Sequence, residues 1–235
     1  MILGLFVIIL PTFLAISIPL DLVERSWIAY PTKNGSGPLE KPFLPDYVKP
    51  KLYKVNISLA LDQPTKIGPH ALDPFTFVGQ IVVILELTKP TNNIAFNAKE
   101  LELSTDLRHY AVQPIDASAK LFNVTVMDVN RVLDLVNFTI SPELRPGKYS
   151  ISIPDYKGRI ARDNERIQGL YYSEYGTSSG TKKYVASTQF EAQGARLVFP
   201  CVDQPNAKAE WRVYASAPTP NRMILNGQHD RNNSV

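Results

Sequence analysis

The chain has very little cysteine and almost no net charge. Cys201 is the single cysteine among 235 residues, so no disulfide bond can form within the chain. The net charge is only +3, and the lysines and arginines are scattered along the sequence rather than grouped into a basic stripe. Domains that bind nucleic acid usually carry such a stripe. Its absence argues against nucleic acid as a partner.

The single cysteine has two interpretations. Cys201 is either a small buried thiol that packs as a hydrophobic residue, or a reactive or metal-binding thiolate. A thiolate needs an electropositive or metal-ligating neighbour. No histidine is close to Cys201 in the sequence, which favours the packing interpretation.

No segment combines the 3.6-residue apolar period with the length of an ordinary helix. In residues 53–61 apolar and polar residues alternate strictly, which predicts a strand with one apolar face. Residues 75–88 carry apolar side chains on both faces, which predicts a strand sandwiched between layers. Further short strands are predicted at residues 94–96, 100–103, 109–113, 121–127, 131–140, 149–153, 169–175, 183–190, 210–215 and 223–225. This pattern predicts an all-β, sandwich-like architecture.

The N-terminal segment has the features of a targeting sequence. Residues 1–20 contain no charged side chain, and the apolar stretch 2–14 ends in the small-x-small sequence Ala15-Ile16-Ser17. The stretch is shorter than the roughly 20 residues that span a bilayer. We predict a signal peptide or signal-anchor in residues 1–20; a buried core strand is the alternative. Residues 21–43, which are rich in proline and glycine, are predicted to form a flexible linker before a domain at residues 44–235.

Candidate glycosylation sites agree with a secreted or surface-anchored chain. Five asparagines stand in Asn-x-Ser/Thr sequences without an intervening proline: Asn34, Asn56, Asn123, Asn137 and Asn232. Asparagines in this context accept N-linked glycans in the secretory pathway. Together with the N-terminal segment, they predict an extracellular location.

Four motifs occur in order after the predicted linker. They are Leu44-Pro45-x-x-Val48-x-Pro50-x-x-Tyr53, Phe77-x-Gly79 with the strand after it, Gly169-Leu170-Tyr171-x-Ser173-x-Tyr175, and Thr188-Gln189-Phe190-Glu191 followed by Arg196 and Phe199-Pro200-Cys201-Val202-Asp203-Gln204-Pro205. In this order they resemble the amino-terminal domain of the aminopeptidase N family of zinc metallopeptidases. The resemblance implies a saddle-shaped, multi-sheet β domain that precedes a thermolysin-like catalytic domain.

The resemblance also implies roles for individual residues. An aminopeptidase must recognise a free α-ammonium group, and a carboxylate at a fixed position does so through charge-assisted hydrogen bonds. By resemblance Glu191 has this role, and Gln189 lines the pocket for the first side chain. The alternative is that both are ordinary strand residues that pair with Arg196 or with the backbone. Arg196 and Asp203 are expected to form a structural ion pair, because partly buried charges usually pair.

The sequence departs from the family pattern at three positions. Leu52 stands where histidine is common, Ala192 where proline is usual, and Gln204 where glutamate is usual. The change at Gln204 removes one carboxylate from any local ion-pair network. It does not affect the predicted fold.

The zinc site of the family is not found in this sequence. Family members bind zinc through His-Glu-x-x-His and a later glutamate, but none of His70, His109 and His229 precedes a glutamate and no two are four residues apart. The family's Gly-x-Met-Glu-Asn segment is also absent. We therefore expect no catalytic residue, metal ligand or cofactor in this chain, although the full-length family uses zinc, and we expect the chain alone to be inactive.

Two functions agree with these observations. The chain is either the non-catalytic N-terminal domain of a secreted or membrane-tethered zinc aminopeptidase, or a stand-alone secreted β domain that acts as a decoy or interaction module. In the first case the expected partners are a catalytic domain and, in the full-length context, a peptide substrate. In the second case the partner is another protein or a peptide.

Overall fold

The computed structural model describes residues 44–115 and 122–227. The predicted leader, the predicted linker and the candidate glycosylation sites Asn34 and Asn232 lie outside these ranges. The regular structure of the described residues consists of β-strands and two short 3-10 helices, Leu107–His109 and Ala195–Leu197, so the all-β, multi-sheet prediction is confirmed. The strands are β1 (Val48–Ala60), β2 (Thr65–Ile67), β3 (His70–Leu72), β4 (Thr76–Leu87), β5 (Thr91–Asn97), β6 (Glu102–Leu103), β7 (Ala111–Pro114), β8 (Phe122–Asn130), β9 (Leu135–Leu144), β10 (Gly147–Arg159), β11 (Ala161–Arg162), β12 (Gly169–Gly176), β13 (Lys182–Gln189) and β14 (Glu210–Ser216).

Nine strands form one large sheet. Its strand order is β14-β1-β4-β10-β7-β8-β9-β5, and β6 pairs with the end of β10. β14 runs parallel to β1, whereas the other neighbours in this sheet are antiparallel. β14 is therefore an edge strand, although it follows the rest of the sheet in sequence.

The alternation that predicted β1 also determines which face of the large sheet is buried. Tyr53 and Val55 are fully buried, whereas Lys54 and Asn56, which alternate with them, are exposed. One side of the sheet therefore faces the core and the other faces solvent. The largest fully buried side chains include Tyr53, Tyr156, Phe77, Phe96 and Phe138, which come from five different strands.

β4 differs from the prediction of a strand buried between two layers. Its core-facing residues, among them Phe77, Ile81 and Val83, are at most 1 % exposed. On the other face, Val82 and Ile84 are only half-buried. Only Val78, at the start of this face, is buried, in a small cluster with Leu72 of the β2–β3 hairpin. A second layer therefore covers only the start of β4.

Three segments also differ locally from the sequence-based prediction. Residues 64–74, for which no strand was predicted, contain the β2–β3 hairpin. Residues 131–134, which were predicted to begin a strand, form a turn in which the Asn130 side chain accepts hydrogen bonds from the backbone N–H groups of Val132 and Leu133. The strand predicted at residues 223–225 does not form. These apolar residues have no neighbouring strand to pair with among the described residues.

A second sheet leads into the candidate site. It has three strands in the order β11-β12-β13, with β12 and β13 forming an antiparallel hairpin. The ring of Phe75, the residue before β4, stacks on Tyr172 of β12 at 3.9 Å between ring centroids and meets Tyr184 of β13 edge-on. Within the ranges that the structure describes, no helix is long and apolar enough to cross a membrane.

Candidate functional site

The segment that carries the candidate residues begins with a tight turn after β13. The backbone N–H of Gly194 donates a 2.7 Å hydrogen bond to the carbonyl oxygen of Phe190. A Cβ atom on Gly194 would lie 2.5 Å from the Gln189 carbonyl oxygen and 2.9 Å from the Gly169 nitrogen. Only glycine allows this close approach of two backbones. The turn therefore fixes where the chain leaves β13.

The next part of the segment is held by an ion pair. Nε of Arg196 donates a 2.9 Å hydrogen bond to the Asp203 carboxylate, and the two side chains are only 10 % and 13 % exposed. Nη2 of Arg196 also donates to the Asp203 carbonyl oxygen at 3.3 Å. With both groups engaged in this way, the pair closes the loop between residues 196 and 203.

The same loop is joined to the large sheet through its backbone. Asn97 at the end of β5 and Cys201 exchange two backbone hydrogen bonds of 2.7 and 3.0 Å. The Asn97 side chain also accepts a 3.0 Å bond from the Asp203 N–H. The backbone N–H of Val202 donates to the Tyr53 hydroxyl. These contacts make residues 196–203 a rigid part of the fold.

Cys201 lies inside this anchor and is almost completely buried. Burial raises the pKa of its thiol well above the usual value of 9.0, and the nearby Asp203 carboxylate raises it further. The thiol therefore stays protonated, which supports the packing interpretation over a reactive thiolate. Burial also raises the pKa of the neighbouring Tyr53 and Tyr156 hydroxyls.

The two proposed substrate contacts lie at the surface, before the ion pair. Gln189 is the last residue of β13, and Glu191 lies in the turn that follows. Both side chains are exposed. Because the extended segment ends at Gln189, strand alternation does not reach Glu191 and does not by itself place the two side chains on the same side.

The side chain of Glu191 is unpaired among the described residues, unlike that of Arg196 in the same segment. In the described ranges its carboxylate forms no ion pair, whereas its carbonyl oxygen accepts a 3.3 Å bond from the Gln168 side chain. Arg196, the nearest arginine in sequence, is paired with Asp203 instead. The backbone at Glu191 is thus bonded to the Gln168 side chain, while its exposed carboxylate has no cation beside it in the part of the chain that the structure describes.

Aromatic rings connect this segment to the edge strand β14. Phe190 meets Phe199 at 5.5 Å between ring centroids, and Phe199 meets Trp211 at 5.0 Å. Trp211 in turn stacks on Tyr53 at 4.0 Å. Phe190, Trp211 and Val213 remain 36 %, 41 % and 39 % exposed. We refer to these three residues as the apolar patch.

The described residues do not fit a zinc ion. No three histidine, cysteine, aspartate or glutamate side chains gather there as a metal site would require. His70 lies 3.3 Å from Asp155 and His109 lies 3.6 Å from Asp106, on separate elements of the fold. No catalytic step can be derived through zinc from these residues.

Comparison with known proteins identifies the family. The peptidase M1 N-terminal domain family matches residues 49–234. The chain belongs to this family. It is 30 % identical to endoplasmic reticulum aminopeptidase 1 of Rattus norvegicus over 206 residues, which cover 86 % of this chain and 20 % of the relative. It is 27 % identical to aminopeptidase N of Haemonchus contortus, covering 83 % of this chain and 19 % of the relative.

A third relative shows the same relationship. Puromycin-sensitive aminopeptidase of Caenorhabditis elegans is 28 % identical over 180 residues, which cover 77 % of this chain and 17 % of the relative. The chain thus spans about a fifth of the length of these relatives. As an M1 N-terminal domain, it corresponds to the amino-terminal part of such aminopeptidases.

Several contacts of this M1 N-terminal domain were not predicted from its sequence. Gln168 and Asn97 support the segment from elements that are distant in sequence. A lone asparagine or glutamine carries no local signal of such a role. For the apolar patch, the alternating residues Trp211 and Val213 indicate a strand. They do not indicate that the side chains on the core-facing side of this strand stay partly exposed.

Proposed function

We propose that this M1 domain belongs to a secreted or membrane-tethered zinc aminopeptidase, in which Gln189 and Glu191 help to bind the free amino end of a peptide. The main support is the carboxylate of Glu191, which is exposed and has no cationic partner among the described residues, while its carbonyl oxygen is bonded to the Gln168 side chain. A carboxylate held in this way can accept charge-assisted hydrogen bonds from an ammonium group.

Binding of the ammonium group has a positional consequence. Once the first nitrogen of a peptide is fixed, the distance to its first carbonyl group is set by the covalent geometry of one residue. In this proposal Glu191 fixes the nitrogen and Gln189, two residues earlier, contacts the first side chain. Both residues position the substrate and neither takes part in bond cleavage.

In this proposal, peptide cleavage depends on a zinc ion that is bound by the catalytic part of the enzyme and not by the residues of this sequence. When bound in such an enzyme, zinc lowers the pKa of a water molecule and polarises the peptide carbonyl. Since the present sequence has no His-Glu-x-x-His motif, we propose that the chain alone is inactive. Purified chain should release no amino acid from aminoacyl reporter substrates in the presence of zinc. Turnover that a chelator abolishes would refute this part of the proposal.

The apolar patch is proposed as the surface that contacts the catalytic part of the enzyme. Trp211 and Val213 continue the core-facing rows of Tyr53 and Val55 onto the edge strand, but there the rows are only partly covered. Exposed apolar surface of this kind marks an interaction site. About four fifths of the length of the relatives lies outside the match, so a large partner surface is expected, and the patch adjoins Gln189 and Glu191 through Phe190.

Three observations support the proposed location, secreted or tethered to a membrane. The uncharged N-terminal segment and the five candidate glycosylation sequences favour entry into the secretory pathway. One of the relatives is named for the endoplasmic reticulum.

Amine binding can be tested on the chain itself. Nuclear magnetic resonance of 15N-labelled chain should show amide shifts at Phe190 and Glu191 on addition of leucine amide, but not of N-acetyl-leucine amide, which lacks the ammonium group. The affinity should be weak, with a Kd near the millimolar range, about −4 kcal/mol. Glu191→Gln should remove the shifts, and Glu86→Gln serves as a control because Glu86 is a carboxylate on β4 that pairs with Lys51. Equal shifts with both ligands, or unchanged shifts in Glu191→Gln, would contradict the proposal.

A second candidate is a stand-alone secreted domain that binds a protein or peptide. The same exposed patch favours it, because a patch of this kind can contact any apolar partner. The transcript beyond Val235 distinguishes the two candidates. A continuing reading frame that encodes His-Glu-x-x-His supports the enzyme, whereas a stop codon together with stable secreted protein supports the binding domain.

A further inference from the structure

The solvent-facing side of the large sheet contains a groove whose residues are brought together by strand pairing. Asn56 of β1 lies directly opposite Tyr214 of β14 on one side and Gln80 of β4 on the other. The three side chains therefore form one row across three neighbouring strands, about 5 Å apart from strand to strand. The groove around them has a volume of about 260 Å³ and also includes Lys54 and Val82.

Asn56 is also the first residue of the glycosylation sequence Asn56-Ile57-Ser58. Its side chain is exposed, while Ile57 points into the core, so a glycan could leave from the outer face without disturbing the packing. The Ser58 hydroxyl lies 2.8 Å from the Ser216 hydroxyl of β14 in the folded state. The folded structure therefore accommodates a modification at this asparagine.

The other described sequons differ from Asn56. Asn137 is half-buried in the middle of β9, and its side-chain nitrogen donates a 3.2 Å hydrogen bond to Asn93 of β5. Asn123 is exposed on β8, where it lies opposite Ser141 and Ala111. Neither of these two has an aromatic residue as its direct cross-strand neighbour.

We propose that Asn56 is an N-glycosylation site and that the first sugar of its glycan lies in the groove between Tyr214 and Gln80. The chemistry of the groove suits a sugar. Tyr214 is 40 % exposed and its side chain offers an aromatic surface beside the groove, while the Gln80 amide is held by a 2.9 Å bond to Asp155 and offers a polar contact. A few fixed polar groups beside an aromatic ring are typical of small-ligand sites, and the volume of the groove suits one sugar unit.

With a glycan on Asn56, the outer side of β14 would be covered by sugar, while its core-facing side would stay available to a partner. Tyr214 points to the outer side of the sheet, whereas Trp211 and Val213 point to the core side, because successive side chains alternate. A glycan on Asn56 would close the outer side to partners and leave the apolar patch open. This inference rests on the proposed passage through the secretory pathway.

The test uses the full chain expressed in glycosylating eukaryotic cells, both with its own N-terminus and with a heterologous cleavable signal peptide added. Site occupancy is read by mass spectrometry of peptides after enzymatic deglycosylation in heavy-oxygen water. With the added signal peptide, Asn56 should be occupied, and Asn56→Gln should lose the mass of one glycan. An empty Asn56 in that protein would overturn the proposal. If glycosylation occurs only with the added signal peptide, the result supports Asn56 as a site that can be modified. The same result contradicts the proposed secretory location.

Contact between the sugar and the groove needs a second measurement. Amide hydrogen exchange across Glu210–Ser216 should be slower in the glycosylated protein than in the same protein after enzymatic deglycosylation, because the sugar shields β14. Tyr214→Ala should remove this difference, and Tyr175→Ala, an exposed tyrosine on β12, should keep it. Equal exchange with and without the glycan would overturn the proposed contact. Because the comparison uses one folded protein before and after deglycosylation, it does not depend on any variant folding.

Discussion

The hydroxyl oxygen of Tyr53 accepts a 3.0 Å hydrogen bond from the backbone N–H of Val202, which lies 149 residues later in the chain. Tyr53 is fully buried in β1, and Val202 follows the buried Cys201. The bond joins the first strand of the large sheet to the segment that precedes the edge strand. In a buried environment such a bond is costly to leave unmade.

Removal of the Tyr53 hydroxyl should therefore destabilise the domain. Tyr53→Phe leaves the Val202 N–H buried without its acceptor, and we expect a loss of about 1–3 kcal/mol in the free energy of unfolding. Urea unfolding followed by fluorescence measures this loss. Tyr175→Phe is the matched control and should change nothing, since Tyr175 is 50 % exposed. Equal stability of Tyr53→Phe and the parent chain would mean that water or a shifted backbone replaces the bond.

The ion pair of Arg196 and Asp203 should show strong coupling in a double-mutant cycle. Asp203→Ala leaves the guanidinium of Arg196 unpaired at 10 % exposure, which should cost roughly 3–5 kcal/mol. Arg196→Met together with Asp203→Ala should cost less than the sum of the two single changes, because neither charge is then left alone. Additive losses in denaturant unfolding would show that the two residues act independently.

Gly79 is predicted to tolerate no side chain. A Cβ atom there would lie 2.3 to 2.6 Å from the ring of Tyr156, which is itself fully buried. Gly79→Ala should therefore force the ring or the β4–β10 pairing to shift and lower stability by roughly 1–3 kcal/mol or more. Gly176→Ala is the control, since no atom lies within 4 Å of its added Cβ. A thermal melt of Gly79→Ala that matches the parent chain would contradict the packing described for Tyr156.

The buried thiol should make the domain less stable in alkali. In the unfolded chain Cys201 ionises near its usual pKa of 9.0, whereas burial raises its pKa well above that value in the folded state. The stabilising contribution of the neutral thiol is complete below the unfolded pKa and falls as the pH rises towards the folded pKa. The expected slope is at most about 1.4 kcal/mol per pH unit.

The measurement is urea unfolding at several pH values on both sides of about 9. Cys201→Ala should show a shallower fall in stability above this pH than the parent chain, since it has no thiol to ionise. Folded parent chain should also fail to react with a thiol reagent until it is unfolded. Identical pH profiles for the two proteins would mean that the thiol ionises equally in both states.

Strand alternation explains most of the agreement between sequence and fold. β1 was predictable because Tyr53 and Val55 alternate with Lys54 and Asn56 over a whole strand, and each residue's face follows from a two-residue period. The β2–β3 hairpin was missed because it has three residues in each strand, too few for any period to be recognised. Residues 223–225 are apolar like a strand, but strand formation also needs a pairing partner.

The ion pair of Arg196 and Asp203 was predicted from the sequence and is present, but the contacts that position it were not predicted. Gln189, Glu191, Arg196 and Asp203 were selected from a local motif, and their side chains lie within one short segment. That Arg196 bonds to Asp203 and not to Glu191 depends on the turn at Gly194 and on the anchor at Asn97. Those two features combine segments that are far apart in the sequence.

The amino-acid order alone was enough for the all-β class and the family, because both depend on patterns within a few neighbouring positions. Which side chains meet across the sheet was decided only by folding. Asn56 lies opposite Tyr214, and Tyr53 meets both Trp211 and Val202, because β14 returns to pair in parallel with the first strand. A pairing between such distant segments depends on the cooperative burial of the whole core, which no local period records.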